Sequence, residues 1–302
     1  MREKETAGGR SGLCCETMKK DIKIELEQPL LVSVTEVTYK YYRCFAGYQP
    51  LKMSLMIPRD RTEDTARPLL IWVCGGGFEM LDKDVWMPEM QYFARHGYSI
   101  ASIEYRTHNQ KPFPGLIEDA KEAVRYIRAY AGQFGIDPDR IAMMGESAGG
   151  YISSMLGVTG NTKEFDTGEY LEQSSEIQAV VNIYGRTRQV RGWYEKIEQG
   201  RPRNTTELLM NGKPEDIPEV YEKATPTTYM RAGLPPFLIL HGTEDKAVPI
   251  IQNDLFYEDL VKAGTDVDYY RVVGAGHGGP EFYQPEVKRI ILDFLNKHLK
   301  KN

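Results

Sequence analysis

From residue 68 onward, short apolar runs alternate with segments of helical period, and this alternation restricts the fold more than any other feature of the chain. The run "PLLIWVC" (68–74) shows no polar alternation and ends in glycines, the pattern of a strand buried on both faces. "YSIASIEYR" (98–106), "DRIAMMG" (139–145), "IQAVVNIYG" (177–185), "PFLILHG" (236–242) and "DVDYYRVVGAG" (266–276) read as further strands. Between them lie "LIEDAKEAVRYIRAYAGQF" (116–134), "SAGGYISSMLGV" (147–158) and "NDLFYEDLVKAG" (253–264), and "EVKRIILDFLNKHL" (286–299) closes the series. In the first of these, Ile117, Ala120, Val124, Ile127 and Ala131 recur at steps of three and four, an apolar helix face, and Gly135 is its expected stop. Strands separated by helices of this length predict a mostly parallel sheet with helices on both faces. Upstream, "LLVSVTEVTYKYY" (30–42) and "LKMSLMIP" (51–58) alternate apolar and polar residues, as a half-buried antiparallel pair does.

One stretch breaks the pattern. Residues 186 to 232 are polar, carry Trp193 and Tyr194, and hold turn signals such as "NGKPEDIP". They read as a small cap insertion over the C-terminal edge of the sheet, where open α/β sheets bind ligands. The first 17 residues are polar and lack an apolar core of the secretory kind, so they read as a disordered tail before a single α/β domain at 18–302. No run of about 18 apolar residues predicts a membrane span. The net charge of -5 over 302 residues argues against a nucleic-acid partner, which requires a basic surface. Four cysteines, Cys14, Cys15, Cys44 and Cys74, show neither metal-ligand spacing nor a disulfide pattern. A reducing, cytoplasmic location without a structural metal is expected.

"GESAGG" (145–150) follows a strand and opens a helix. That context suits a serine on a sharp turn, with glycines relieving the contacts a Cβ would make. A glycine-rich turn beneath a packed helix has the same composition, so the reading depends on partners for Ser147. A serine hydroxyl is a weak nucleophile and needs a base, and the base needs an orienting acid. Of five histidines, His96 and His298 read as surface or packing residues and His241 as a structural strand end. His277, in the glycine loop "GAGHGG", is read as the base, with His108 in "YRTHNQ" as its rival. Glu244 and Asp245, just past a strand end, are both candidates for the acid. An oxyanion needs N–H donors, each worth ~2.7–4 kcal/mol of barrier. "CGGGF" (74–78) offers Gly76 and Gly77, and Ala148 follows the serine.

These motifs together, with "FPGLIEDAKEAVRYIRAYAGQFGIDPDRIAMMGESAGG" and "PPFLILHGTEDKAVPIIQNDLFYEDLVKAG…GAGHGG", resemble the α/β-hydrolase superfamily, in its branch of acetyl-esterase and hormone-sensitive-lipase-like carboxylesterases. The resemblance runs from about residue 36 to the end. It implies an eight-stranded, mostly parallel sheet, no cofactor, and hydrolysis of carboxylic esters through an acyl-enzyme. It selects Asp245 as the acid, so that Ser147, Asp245 and His277 follow the chain order of that fold. It also matches Gly76, Gly77 and Ala148 to the oxyanion hole. The family usually has histidine where this chain has Cys74, which bears on the rigidity of the glycine loop.

Phe78, Glu79, Glu146, Tyr151, Tyr184 and Trp193 are expected to line the substrate site. Arg186, Arg188 and Arg191 beside Trp193 form either a clamp for an anionic or sugar-bearing substrate or a solvated cap surface. The expected partner is a small ester with a short acyl group, an acetylated or feruloylated sugar among the options. A peptidase of the same fold and a non-catalytic binding protein are the alternatives.

Overall fold

In a computed structural model, which describes residues 18–59, 66–188 and 205–300, eight strands form one sheet in the order β1-β2-β4-β3-β5-β6-β7-β8. They are β1 (Leu30–Cys44), β2 (Gly47–Arg59), β3 (Arg67–Val73), β4 (Ser99–Ile103), β5 (Ile136–Glu146), β6 (Ala179–Ile183), β7 (Phe237–Gly242) and β8 (Val267–Val272). The β1–β2 and β2–β4 pairs are antiparallel, and every pairing from β4 through β8 is parallel. The expected antiparallel pair and buried parallel strands are both present, but only β1 is half-buried. β2 is buried from Met53 to Pro58, because it lies between β1 and β4 and sends Met53, Leu55 and Ile57 to one cluster and Met56 to the other.

The sequence of β3 shows why the sheet needs cover on both sides. Leu69, Ile71 and Val73 join one buried cluster, while Leu70 and Trp72 join the other. Alternate side chains point to opposite faces, so a wholly apolar strand needs two apolar partners. On the first face lie α2 (Gly115–Ala129), α4 (Ala148–Thr159) and α7 (Ile251–Lys262), through residues such as Ile117, Ile152 and Phe256. On the second lie α1 (Met87–Arg95) and α8 (Pro285–Leu299), through Phe93 and Leu295. Each fully buried Leu, Ile or Phe contributes about 1.5–3 kcal/mol, so the two faces dominate the folding energy.

The helix expected over 116–134 is interrupted at Tyr130, where α2 gives way to a single turn, α3 (Ala131–Phe134). Gly135 stops it in the left-handed conformation at φ 65°. The loop after β4 is tied to α2 by buried charge. The Arg106 guanidinium donates to Asp119 at 2.6 and 2.8 Å, and the Lys40 ammonium lies 2.8 Å from the same carboxylate. Removing one member of such a group costs about 3–5 kcal/mol.

Of the expected cap, residues 189–204 lie outside the described part, as do the N-terminal 17 residues. The remainder carries α5 (Thr205–Met210), α6 (Pro218–Lys223) and a 3-10 turn at Pro226–Tyr229. It is tied down from two sides, by the Phe113 amide donating to the Leu209 carbonyl at 2.8 Å and the Tyr151 hydroxyl donating to the Ala224 carbonyl at 2.8 Å. No described helix is long and apolar enough to cross a membrane.

Candidate active site

Five neighbouring strands end along one edge of the sheet, and their C-terminal extensions supply the site. Ser147 directly follows β5 and precedes α4, with φ 53° and ψ -116°. A side chain at positive φ is strained, and the strain lifts the hydroxyl above the turn. Close packing holds the turn in place. The Ser147 amide donates to the Ile183 carbonyl at 2.9 Å, and a Cβ on Gly149 would sit 1.9 Å from the Val73 carbonyl oxygen. Only glycine permits that approach.

The Ser147 Oγ lies 2.8 Å from His277 Nε2, and His277 Nδ1 lies 2.7 Å from Asp245 Oδ2. An ionised carboxylate only accepts, so the imidazole proton sits on Nδ1 and the Nε2 lone pair faces the serine hydroxyl. The Ala247 and Val248 amides each donate to Asp245 Oδ1 at 2.8 Å. Burial alone would raise the Asp245 pKa, but hydrogen bonds from His241 and His277, electrostatic attraction to His277 and the Val248 amide outweigh it. The carboxyl is held well below the usual range. Glu244 is exposed while Asp245 is buried, which separates the two carboxylates that their position past a strand end alone leaves open.

The glycine loop after β3 faces the serine. Gly75 N–H donates to Glu146 Oε1 at 2.8 Å, while Gly76 and Gly77 border the same pocket as Ser147 and Ala148. Gly76 adopts φ 136°, and a Cβ there would lie 2.0 Å from the Met80 carbonyl. Ala148 opens α4, so its N–H belongs to the first turn, which has no intrahelical acceptor. Cys74 does not leave the loop slack. Its carbonyl accepts the buried Tyr105 hydroxyl at 2.9 Å. Burial and the nearby Glu146 charge push its thiol up to about 12, well away from reactivity.

The pocket has a volume of about 330 Å³ and is lined by Gly76, Gly77, Phe78, Glu146, Ser147, Ala148, Arg186, Thr205, Ala247, Val248 and His277. Phe78 and Glu146 therefore border this pocket, and Glu146 spends one oxygen on the loop. Three expected lining residues are not among these. Tyr151 is wholly buried, edge-on to Phe78 with ring centroids 5.7 Å apart. Tyr184 is also buried, and its ring backs the imidazole of His277 at 4.8 Å and Phe282 at 4.5 Å. Glu79 turns toward His108, its carboxylate 3.6 Å from the ring, and this places the rival base with a different partner. Aromatic size favoured packing over solvent contact in both tyrosines. Trp193 and Arg191 lie outside the described residues. Of the three cap arginines, Arg186 lines the pocket and donates to the Thr206 hydroxyl, while Arg188 pairs with Asp259. Nothing in the sequence singles out Thr205, Ala247 and Val248 as lining residues, though Ala247 and Val248 lie two and three residues after Asp245 in "EDKAVP". A groove of about 390 Å³ at the opposite edge, bordered by Asn161, Glu176, Arg231 and His298, holds no comparable set.

A family model described as BD-FAE matches residues 53–260, which include Ser147 and Asp245. The chain belongs to the BD-FAE family. The fold is the α/β-hydrolase fold, shared with solved esterases. A carbohydrate esterase from gut microbiota superposes with a TM-score of 0.76 at 24% identity, covering 89% of this chain and 97% of that one. The thermophilic esterase Est2 of Thermogutta terrifontis gives a TM-score of 0.72 at 26% identity, covering 88% and 92%, and has also been solved with butyrate bound. Among curated proteins, Esterase LipC of Mycobacterium tuberculosis is 32% identical over 78% of this chain and 59% of its own length. The chain spans about half the length of the first curated relatives it matches.

Proposed function

We propose that the protein is a serine carboxylesterase acting on small esters with short acyl groups. The observation that carries this reading is the unbroken contact chain Ser147–His277–Asp245 beside a pocket that Gly76, Gly77 and Ala148 also border. In the forward step His277 Nε2 takes the Ser147 proton as Oγ bonds to the ester carbonyl carbon. Asp245 holds the imidazole tautomer and stabilises the imidazolium. The carbonyl electron pair moves to oxygen, where the N–H groups of Gly76, Gly77 and Ala148 receive it. His277 then protonates the departing alcohol oxygen, leaving the acyl group on Ser147. Water attacks that acyl-enzyme with the same base, and the acid product leaves.

The small pocket supports a short acyl group, as does likeness to an esterase that binds butyrate. Arg186 and Thr205 make one wall polar, which supports an oxygen-rich alcohol such as an acetylated or feruloylated sugar. The same reading assigns the protein to the cytoplasm, since Cys44 and Cys74 both carry free thiols.

The test is Ser147→Ala together with a fluorophosphonate probe. Wild-type protein should hydrolyse p-nitrophenyl acetate and take the label on Ser147, while the variant does neither and unfolds at the same temperature. Turnover retained in the variant would sink the assignment. Cleavage of aminoacyl-nitroanilides in preference to esters would make the protein a peptidase. Absence of both turnover and label would make it a binding protein.

A further inference from the structure

Behind Asp245 lies a second histidine. Given the reading of Ser147, His277 and Asp245 as a triad, we infer that His241 and Asn253 are positioning residues for the acid, the near end of a buried hydrogen-bond chain with one direction throughout. His241 Nε2 lies 3.1 Å from Asp245 Oδ2 and 2.9 Å from the Val248 carbonyl. Both are acceptors, so the proton is on Nε2. Its Nδ1 accepts from Asn253 Nδ2 at 2.7 Å, and the same amide donates to the Gly185 carbonyl at 3.0 Å. Asn253 Oδ1 in turn faces Asn182 Nδ2 at 3.4 Å, and Asn182 Oδ1 accepts the Gly185 N–H at 2.7 Å. The backbone of Gly185, whose N–H can only donate and whose carbonyl can only accept, therefore sets the orientation of every amide and ring in the row.

Asn182, His241 and Asn253 have no solvent exposure, so water cannot substitute for a missing link. The consequence lies at the carboxylate. Oδ1 takes two backbone amides and Oδ2 takes two histidines, His277 from the loop after β8 and His241 from β7. With the His241 N–H shared between Oδ2 and the Val248 carbonyl, four donors reach the carboxylate and fix its rotation, and with it the place at which His277 Nδ1 must sit. Neither His241 nor Asn253 borders the substrate pocket. Their effect should reach turnover rather than binding.

The groups facing this array are Asp245, His277 and Ser147 at its front, Tyr184 against the His277 ring and Arg186 across the pocket. His241→Leu removes the Nε2 donor, and His241→Gln restores an N–H at nearly the same place. With p-nitrophenyl acetate, H241L should lower kcat roughly ten- to a hundredfold with KM within about twofold, since small misplacements of reacting groups cost that much. H241Q should recover to within about threefold of wild type. Nitrogen-15 NMR of the wild-type protein should show His241 as the neutral tautomer protonated on Nε2. A folded H241L with unchanged kcat would overturn the inference, as would equal losses in the folded Leu and Gln variants, which mark packing alone. If H241L does not fold, H241Q and the tautomer decide, and a proton on Nδ1 is fatal. Failure of wild-type protein to take a fluorophosphonate label would instead overturn the triad reading, which the tautomer measurement does not touch.

Discussion

Glu146 Oε1 accepts the Gly75 N–H at 2.8 Å, so the residue before the serine holds the loop that faces it. The two glycines after Gly75 border the pocket, and in the proposed mechanism their amides can meet a developing negative charge only while that loop stays put. Glu146→Ala should lower kcat/KM for p-nitrophenyl acetate at least tenfold, about 1.4 kcal/mol of barrier. Glu146→Gln, which keeps an oxygen acceptor, should lose much less. Steady-state kinetics of the pair checks this, and equal losses would contradict it.

A second expectation concerns the turn under Ser147. A Cβ at position 149 would meet the Val73 carbonyl oxygen at 1.9 Å, and backbone at the centre of a sheet cannot retreat. Gly149→Ala should destabilise the protein by about 3 kcal/mol or more, read from urea unfolding. A midpoint within error of wild type would count against the described strand–helix contact.

Asp245 supplies a pH dependence with a defined sign. Its folded pKa is depressed, so its contribution to stability is complete above the unfolded value of about 3.9 and decays as pH falls through the lower folded value. Unfolding measured between about pH 2 and 6 should therefore show a stability loss on the acid side that is smaller in Asp245→Asn. The difference between the two proteins should be constant above about pH 5. An identical acid limb in both would remove Asp245 as its source.

Cys74 should be chemically silent. Burial and Glu146 keep the thiol protonated, and the thiolate is the reactive form. Iodoacetamide at pH 8 should modify the partly exposed Cys44 in preference to Cys74, as judged by peptide mass mapping of folded protein. Alkylation of Cys74 at a comparable rate would show that the loop opens.

Much of this was legible in the residues. The apolar run at 68–74 demanded cover on both faces, and the chain order of "CGGGF", "GESAGG", "HGTED" and "GAGHGG" placed each motif just beyond a strand. The periodicity of 2 and 3.6 is local, so element types could be read without a structure. What remained hidden depends on contacts across the sheet. Nothing local to "IYGR" says that Tyr184 turns inward behind His277 while Arg186, two residues on, reaches the pocket. His241 looked like an ordinary strand end because its partners, Asn253 and Asp245, come from a helix and a loop beyond it. Glu146 was expected to meet substrate, and its bond to Gly75 spans 71 residues of chain.

Ser147 and His277 are 130 positions apart and come to within touching distance only when β5, β6, β7 and β8 have all paired in register. A slip of one residue in any of these pairings would turn the following loop to the wrong side. Partly assembled molecules should then be silent toward ester, however much secondary structure they hold. Turnover regained after dilution from denaturant is accordingly a count of completely assembled molecules, and it should lag behind the return of the far-ultraviolet signal.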